Sequence, residues 1–366
     1  MNNERNRKRA LLGVVDTVTQ PFIAVLISFL LGAVVILVIG KNPILAYGEM
    51  IRGAFGKQVY LMNTLKRATP IVMGGLAVCV AWRSGYEAMG GEGQMILGAM
   101  AAALVGYYFH APAVIRIPAA LLAAAAAGAA YSMLSGWLFE KFDVTFVIST
   151  LMLNYIANYF AAYLCNYPLR DPEANVHQMQ NAQTGKLGAE AILQPIAKGW
   201  VHWGFVLALL AVAITWFLFK KTSFGYKSRM GGLNPRFALY GGINARWMLY
   251  LVMILSGVMA SLGGAFEAMG SKGRYVDQMI FSTGYAWTGM VAALLANMNP
   301  IGTLAASILL AGLAVGGSTM MLNLDIPLEV CNIIEGIITL FMSVKLIRIA
   351  SGNIRRRKQA KGGGEA

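Results

Sequence analysis

Charge is scarce in this sequence. Asp and Glu together number 16, and Lys and Arg 30, in 366 residues, so 13% of side chains are charged where a soluble domain carries about 25%. The three cysteines, Cys79, Cys165 and Cys331, sit in or beside apolar stretches without CxxC or CxxH spacing, which excludes a disulfide framework and a cysteine metal cluster. Histidine is as rare. His110, His177 and His202 fall near expected span ends or in a long loop, positions that suit interfacial polar residues better than ligands or bases. No GxxxxGK(S/T), GxSxG or HExxH occurs, so the chain has no phosphate-cradling loop of its own and no familiar nucleophile or zinc spacing. Catalytic residues, metal ligands and a bound cofactor are all expected to be absent.

Apolar residues are plentiful instead, at 57% of the chain. A membrane span takes ~20 predominantly apolar residues. Runs of that kind fall at 21–40, 61–82, 90–109, 112–138, 145–165, 202–219, 247–269, 278–297, 300–322 and 327–347. The first run follows Arg5, Arg7, Lys8 and Arg9, but it is long and lacks a small-x-small site before Lys41, so a retained span is expected rather than a cleaved leader. The expected fold is therefore an all-α polytopic membrane protein of about ten transmembrane helices, with a membrane domain over 21–347 between basic tails at 1–20 and 348–366.

The net charge of +14 has an address. Seventeen of the 30 basic residues lie in the N-terminal tail, in the 220–246 loop (Lys220, Lys221, Lys227, Arg229, Arg236, Arg246) and in the C-terminal end from Lys345 to Lys361. Ten spans put all three segments on one face, and positive charge marks that face, with both termini, as cytoplasmic. The long 166–198 loop balances Arg170, Lys186 and Lys198 against Asp171, Glu173 and Glu190, as an outer loop would. Orientation accounts for the basic excess without a nucleic-acid partner.

Polar interruptions carry the functional information. Arg83 to Gln94 places four glycines and the carboxylates Glu87 and Glu92 at the head of a span, either as a broken helix lining a pathway or as a turn capped by Glu92. Thr150, Asn154 and Asn158 recur every four residues and form one polar stripe on the fifth span, either glue between helices or the wall of a path. In the 220–246 loop, a basic turn, an Asn234-Pro235 start and a Gly241-Gly242 stop predict a short helix under the membrane where a soluble partner could dock. The alanine-rich fourth span is expected to be tightly packed and buried, and 42–56 to be an interfacial helix. Glu87, Glu92, Glu267 and Glu335 leave an ion-coupled carrier as the rival transport class.

Four blocks in order along the chain resemble the permease subunits of ATP-binding-cassette importers, in the simple-sugar and nucleoside branch related to the branched-chain amino acid permeases. They are Gly90-Gly91-Glu92-Gly93-Gln94-Met95, Val147 to Ile156, Phe224-Gly225-Tyr226 through Asn234-Pro235 to Tyr240-Gly241-Gly242-Ile243-Asn244, and Ala292 to Leu295 with Asn299-Pro300-Ile301-Gly302. The pattern is departed from at Ala88, where the nucleoside type has Asn, and at Thr288, where it has Asp. The resemblance implies inverted repeats around a central path in a prokaryotic cell membrane. Implied partners are ATP-binding subunits carrying the ATP and magnesium, a second permease subunit, identical or related, and an extracytoplasmic substrate-binding lipoprotein. Glu92, Gln94, Asn154, Asn158, Trp287 and Thr288 are then expected along the path for a small polar solute such as a nucleoside or simple sugar. Gly225, Tyr226, Arg229, Asn234, Pro235, Arg236 and Gly241 are expected to couple to the ATPase, and the branched-chain amino acids remain an alternative cargo.

Overall fold

The computed structural model describes residues 25–171, 182–197 and 201–340. Both basic tails, the end of the last expected span, and residues 172–181 and 198–200 of the 166–198 loop lie outside the described residues.

Two units divide the chain. The first unites residues up to Gly56 with those from Leu313 onward. Helix α1 (Val25–Val38) breaks at Gly40 and turns by 118° into α2 (Pro43–Phe55), which Pro43 opens and Asn42 caps by accepting from the Ile44 N–H at 2.9 Å. The expected 42–56 helix is therefore present, and it is held by packing. Gly53 sits on Thr319 and Gly316 on Met50, both so closely that a methyl group would collide, and Asn323 donates to Glu49 at 2.8 Å. Gly32 meets Ile334 of the last helix, 329–340, in the same way.

The second unit runs from Lys57 to Gly312. Its helices are α3 (Gln58–Arg83), α4 (Gly91–Tyr108), α5 (Ala113–Phe142), α6 (Phe146–Asn166), α7 (Trp203–Lys221), α8 (Ser223–Leu233), α9 (Pro235–Tyr240), α10 (Ala245–Phe266), α11 (Tyr285–Leu295) and the first half of α12 (Pro300–Leu324). Every residue of α3 from Ala68 to Ala81 is buried, which makes it the axis of the unit. Helix α10 packs against α3, α4 and α5 through small residues. Ser261 of α10 lies against both Gly98 and Gly128, and Gly264 lies on the Met95 carbonyl. In lipid, where apolar burial between helices is not driven by water, such close approach supplies the association through dispersion. Helix α5 buries Ala120, Ala124, Gly128, Ser132 and Gly136, one residue per turn, while Leu122 on its far side is exposed. The alanine-rich span is thus tightly packed along one edge and not buried all round.

Among the described residues, six helices are long and apolar enough to cross a membrane, or seven with the bent α1 and α2 counted as one. The expected run at 247–269 extends as α10 into a π-helical turn, Glu267–Lys272. The expected span at 278–297 is not one helix. Residues 273–284 leave helical geometry, with Gly273, Gln278 and Gly284 all in the left-handed region, so that α11 begins late and has only 11 residues. Apolar content did not reveal this break, because the expected span was carried by the apolar run from Tyr285 onward, while Gln278, Ser282, Thr283 and Gly284 at its head were too few to mark an end.

Two short strands also interrupt the helical pattern: β1 (Pro195–Ala197) pairs antiparallel with β2 (Val201–His202). The described part of the 166–198 loop is sewn to the broken segment. Leu193 N–H donates to Met269 at 3.1 Å, Leu187 to Gly273 at 2.9 Å and Thr184 to Tyr275 at 3.0 Å, while Arg274 pairs with Asp171 at 3.3 Å. These main-chain bonds satisfy a backbone that has no helix to satisfy it.

The small-residue contacts predict that Gly264→Ala destabilises the protein, since overpacking costs about 1–3 kcal/mol, whereas Gly336→Ala, whose new methyl meets nothing within 4 Å, does not. Thermal unfolding in detergent checks this, and equal midpoints for the two variants would reject it.

Candidate functional site

The polar stripe of α6 meets the start of α4. Thr150, Asn154 and Asn158 share a face by their spacing of four, and all three are buried. Helix α4 opens at Gly90, which has no side chain to cap it, so the first N–H groups need partners from elsewhere. Asn154 provides one. Its Oδ1 accepts from the Gly93 N–H at 2.9 Å, while its Nδ2 donates to the Met89 carbonyl at 2.9 Å. Thr150 Oγ1 accepts from the Met89 N–H at 3.0 Å. A Cβ at Gly93 would stand 3.0 Å from Asn154 Oδ1 and 3.1 Å from its Cα, so a larger residue would push Asn154 back by a few tenths of an ångström. The stripe therefore pins the broken connector to α6, and both functional groups of Asn154 are engaged.

One turn away the pattern changes. Asn158 Oδ1 and Gln94 Oε1 are buried and have no hydrogen-bond partner among the described residues. Glu92, 4% exposed, does not cap its own helix. It accepts from Trp287 Nε1 at 3.1 Å, joining the first turn of α4 to the first turn of α11, the half-length helix. Trp287 is 39% exposed and so presents its ring outward from this contact. Thr288 is half-buried, with its N–H bonded to the Gly284 carbonyl at 2.9 Å; no contact brings it to Glu92. Ala88 is buried and its carbonyl accepts from Trp82 Nε1 at 2.9 Å, so this departure from the family pattern lies at a packed position.

Another polar cluster escaped notice as a group. Glu267, in the π-helical turn, is 4% exposed and accepts from the Tyr285 hydroxyl at 3.4 Å, while the Arg67 guanidinium lies 5.6 Å from the Tyr285 ring centroid. His202 is buried rather than interfacial: its Nδ1 accepts from the Gly204 N–H at 3.1 Å and caps α7. The residues concerned come from α3, the N-cap of α7, the π-helical turn after α10 and α11, and no sequence spacing connects them.

The 220–246 loop forms two helices where one was expected. In α8, Gly225, Gly231 and Gly232 lower helix propensity, which hid the helix from composition, but close packing compensates. Gly225 rests on Phe219 and Gly232 on the Ser84 carbonyl, each too near for a side chain. Helix α9 is the expected short one. Asn234 accepts from the Phe237 N–H at 3.1 Å, Pro235 occupies the first turn, and Gly242 at φ +70° ends it. Of the coupling candidates, Gly225 is buried and structural. Tyr226, Arg229, Asn234, Pro235, Arg236 and Gly241 are exposed, alongside exposed Phe237, Leu239 and Tyr240. Basic and aromatic side chains thus share one outward surface of a kind that marks protein contacts.

These two regions are joined. Ser84 and Gly85, against which α8 rests, begin the connector that Asn154 and Thr150 hold at Met89 and that ends at Glu92. Replacing Asn154 by Leu orphans the Met89 carbonyl and the Gly93 N–H, at about 1–3 kcal/mol for each group; Asn154→Asp keeps the acceptor for Gly93. Thermal unfolding is expected to rank wild type above Asn154→Asp above Asn154→Leu. An unchanged midpoint in Asn154→Leu would remove the pin.

Comparison with known proteins places this geometry among transporters. A family model described as the branched-chain amino acid transport system / permease component matches residues 60–343. The guanosine ABC transporter permease protein NupP of Bacillus subtilis is 34% identical over 338 residues, covering 92% of this chain and 96% of the relative. The glucose ABC transporter permease protein TsgB13 of Haloferax volcanii is 31% identical, over 88% of this chain and 86% of its own. The nucleoside ABC transporter permease protein NupB of Lactococcus lactis is 30% identical, over 90% and 92%.

Proposed function

The chain belongs to the branched-chain amino acid transport system / permease component family, and on that premise we propose that it forms the membrane path of a nucleoside importer. It is a multi-pass membrane protein and the permease subunit of an ATP-binding-cassette transporter, a transport component rather than an enzyme. Nucleosides are favoured as cargo because NupP, similar over nearly its whole length, is named for guanosine and NupB for nucleosides. A simple sugar is the second reading, favoured by the glucose-named TsgB13.

In this reading the chain has about ten transmembrane passes, built as inverted repeats with both termini in the cytoplasm, and α4 and α11 are the interrupted helices of the two repeats. Interrupted helices near the middle of a membrane are where carriers build their sites. A second permease subunit completes the path, ATP-binding subunits holding ATP and magnesium dock on α8 and α9, and an extracytoplasmic binding lipoprotein delivers the solute. The observation that carries the coupling role is the contact of Gly232 with Ser84, which sets α8 directly on the connector leading to Glu92. A push on α8 moves the connector, and the connector moves Glu92 relative to Trp287. Glu92, Gln94, Asn158, Trp287 and Thr288 then bound the path, while Asn154 holds the connector that moves.

Two results test this. In proteoliposomes holding the chain with its ATP-binding and binding-protein subunits, the double variant Arg229→Glu/Asn234→Asp is expected to lose ATP-driven guanosine uptake while remaining in the membrane; normal uptake would sink the docking role. Gly232→Ala is expected to preserve subunit assembly but lower uptake at least tenfold, because the new methyl forces α8 off the Ser84 carbonyl. Gradient-driven uptake by the purified chain alone, without an ATPase, would replace the reading with an ion-coupled carrier.

A further inference from the structure

Helix α6 has a second face that the hydrogen-bond network does not use. Tyr155, Tyr159, Tyr163 and Tyr167 recur every four residues, with 48%, 70%, 58% and 73% of their surface exposed, on the side away from the buried Thr150, Asn154 and Asn158. Among the described residues their hydroxyls have no hydrogen-bond partner. Depth decides what this face can meet. A helix of 21 residues rises about 31 Å, close to the ~30 Å hydrocarbon core. Tyr155 and Tyr159 then lie about 14 and 20 Å from its start, far from either interface, where tyrosines of membrane proteins normally concentrate. The outward face of α7 is what lipid contact looks like in this protein: Val206, Leu209, Leu210, Ile214 and Phe217, with no hydroxyl among them. A column of phenols through the middle of a span calls for water or polar partners along that face.

The neighbouring backbone agrees. The Tyr155 ring lies 5.9 Å from that of Phe281, which belongs to the non-helical segment 273–284. Irregular backbone at membrane depth is tolerated only where protein covers it or water fills a cavity beside it. Phe281 is half-buried and Ser282 beside it is exposed, so the chain itself does not cover this stretch fully. Helix α6 contains no charged residue, so the face has nothing to recognise an anion or a cation. Interspersed with exposed Ile148, Met152, Ile156 and Phe160, it offers flat rings with a hydroxyl at the edge of each, about 6 Å apart along the axis. Such a surface suits a neutral planar ring with hydrogen-bonding edges.

We propose that Tyr155 and Tyr159 of α6 form stacking steps on which the nucleobase of the transported nucleoside rests as it crosses, with Phe281 and Trp287 continuing the aromatic wall. The proposal rests on the permease reading above and names the part of the solute that this chain recognises. Each step is weak and solvent-accessible, so the solute is passed on rather than retained. The ribose, with no π-face, contributes little here.

The test uses the full complex in proteoliposomes with radiolabelled guanosine. Tyr155→Leu/Tyr159→Leu is expected to lower the uptake rate at least tenfold while binding-protein-stimulated ATP hydrolysis persists, whereas Tyr155→Phe/Tyr159→Phe, which keeps the rings, stays within about threefold of wild type. A membrane-impermeant thiol reagent is expected to label Tyr159→Cys, and guanosine to slow the labelling, against a background in which Cys79, Cys165 and Cys331 are buried. Labelling confined to a lipid-soluble reagent, or a chemical crosslink between two copies that guanosine does not affect, would make the face a lipid or subunit contact and overturn the proposal. So would uptake by the leucine variant at the wild-type rate while the wild type carries guanosine, an outcome that leaves the importer reading standing. A wild-type complex that carries glucose and not guanosine would overturn both. If the leucine variant fails to assemble, the labelling pattern decides.

Discussion

A backbone that leaves helical geometry within a membrane protein must find its hydrogen bonds on neighbouring side chains, and in this chain Asn154 meets that need. One amide accepts from the Gly93 N–H and donates to the Met89 carbonyl, so the end of the connector between α3 and α4 is fastened to α6. Thr150 takes the remaining Met89 donor. Because Gly90 cannot cap and Gly93 cannot clash, the same glycines that break the helix admit the partner that repairs the break. The position of Glu92, and through it the contact with Trp287, follows from that repair.

Rigid packing surrounds this yielding point. Small residues let α10 approach α4 and α5 until backbone meets backbone, and α3 runs buried through the centre. Within this frame the connector is bounded by the close packing of Gly232 on Ser84 at one end and by the Glu92–Trp287 hydrogen bond at the other. In the proposed reading, such an arrangement gives an ATP-driven permease a packed body, a surface to receive force and a connector to carry it to the path.

Much of this was legible from residue order. The asparagine stripe, the glycine-rich head of α4, the Asn234-Pro235 helix start and the scarcity of charge each follow from spacing or composition, and the structure places each of those helices within a few residues of its expected bounds. Other features were hidden for physical reasons. The break at 273–284 is written in backbone dihedrals, which hydropathy does not carry. Helix α8 is poor in helix formers and exists because Phe219 and Ser84 lie where its glycines can touch them. The meeting of Arg67, Glu267 and Tyr285 needs α3, the π-helical turn and α11 to converge.

The sequence by itself therefore determined the class of the molecule: a helical membrane protein, polar at a few regularly spaced points, and similar in order and motif to permeases. Periodicity is local, so it can say that Asn154 and Asn158 share a face. Which face of α6 turns inward was decided only by tertiary structure, because that depends on α4 arriving with glycine at the contact. Asn154 fastens the connector, Asn158 one turn on keeps a buried oxygen without a partner among the described residues, and the tyrosines opposite them face outward.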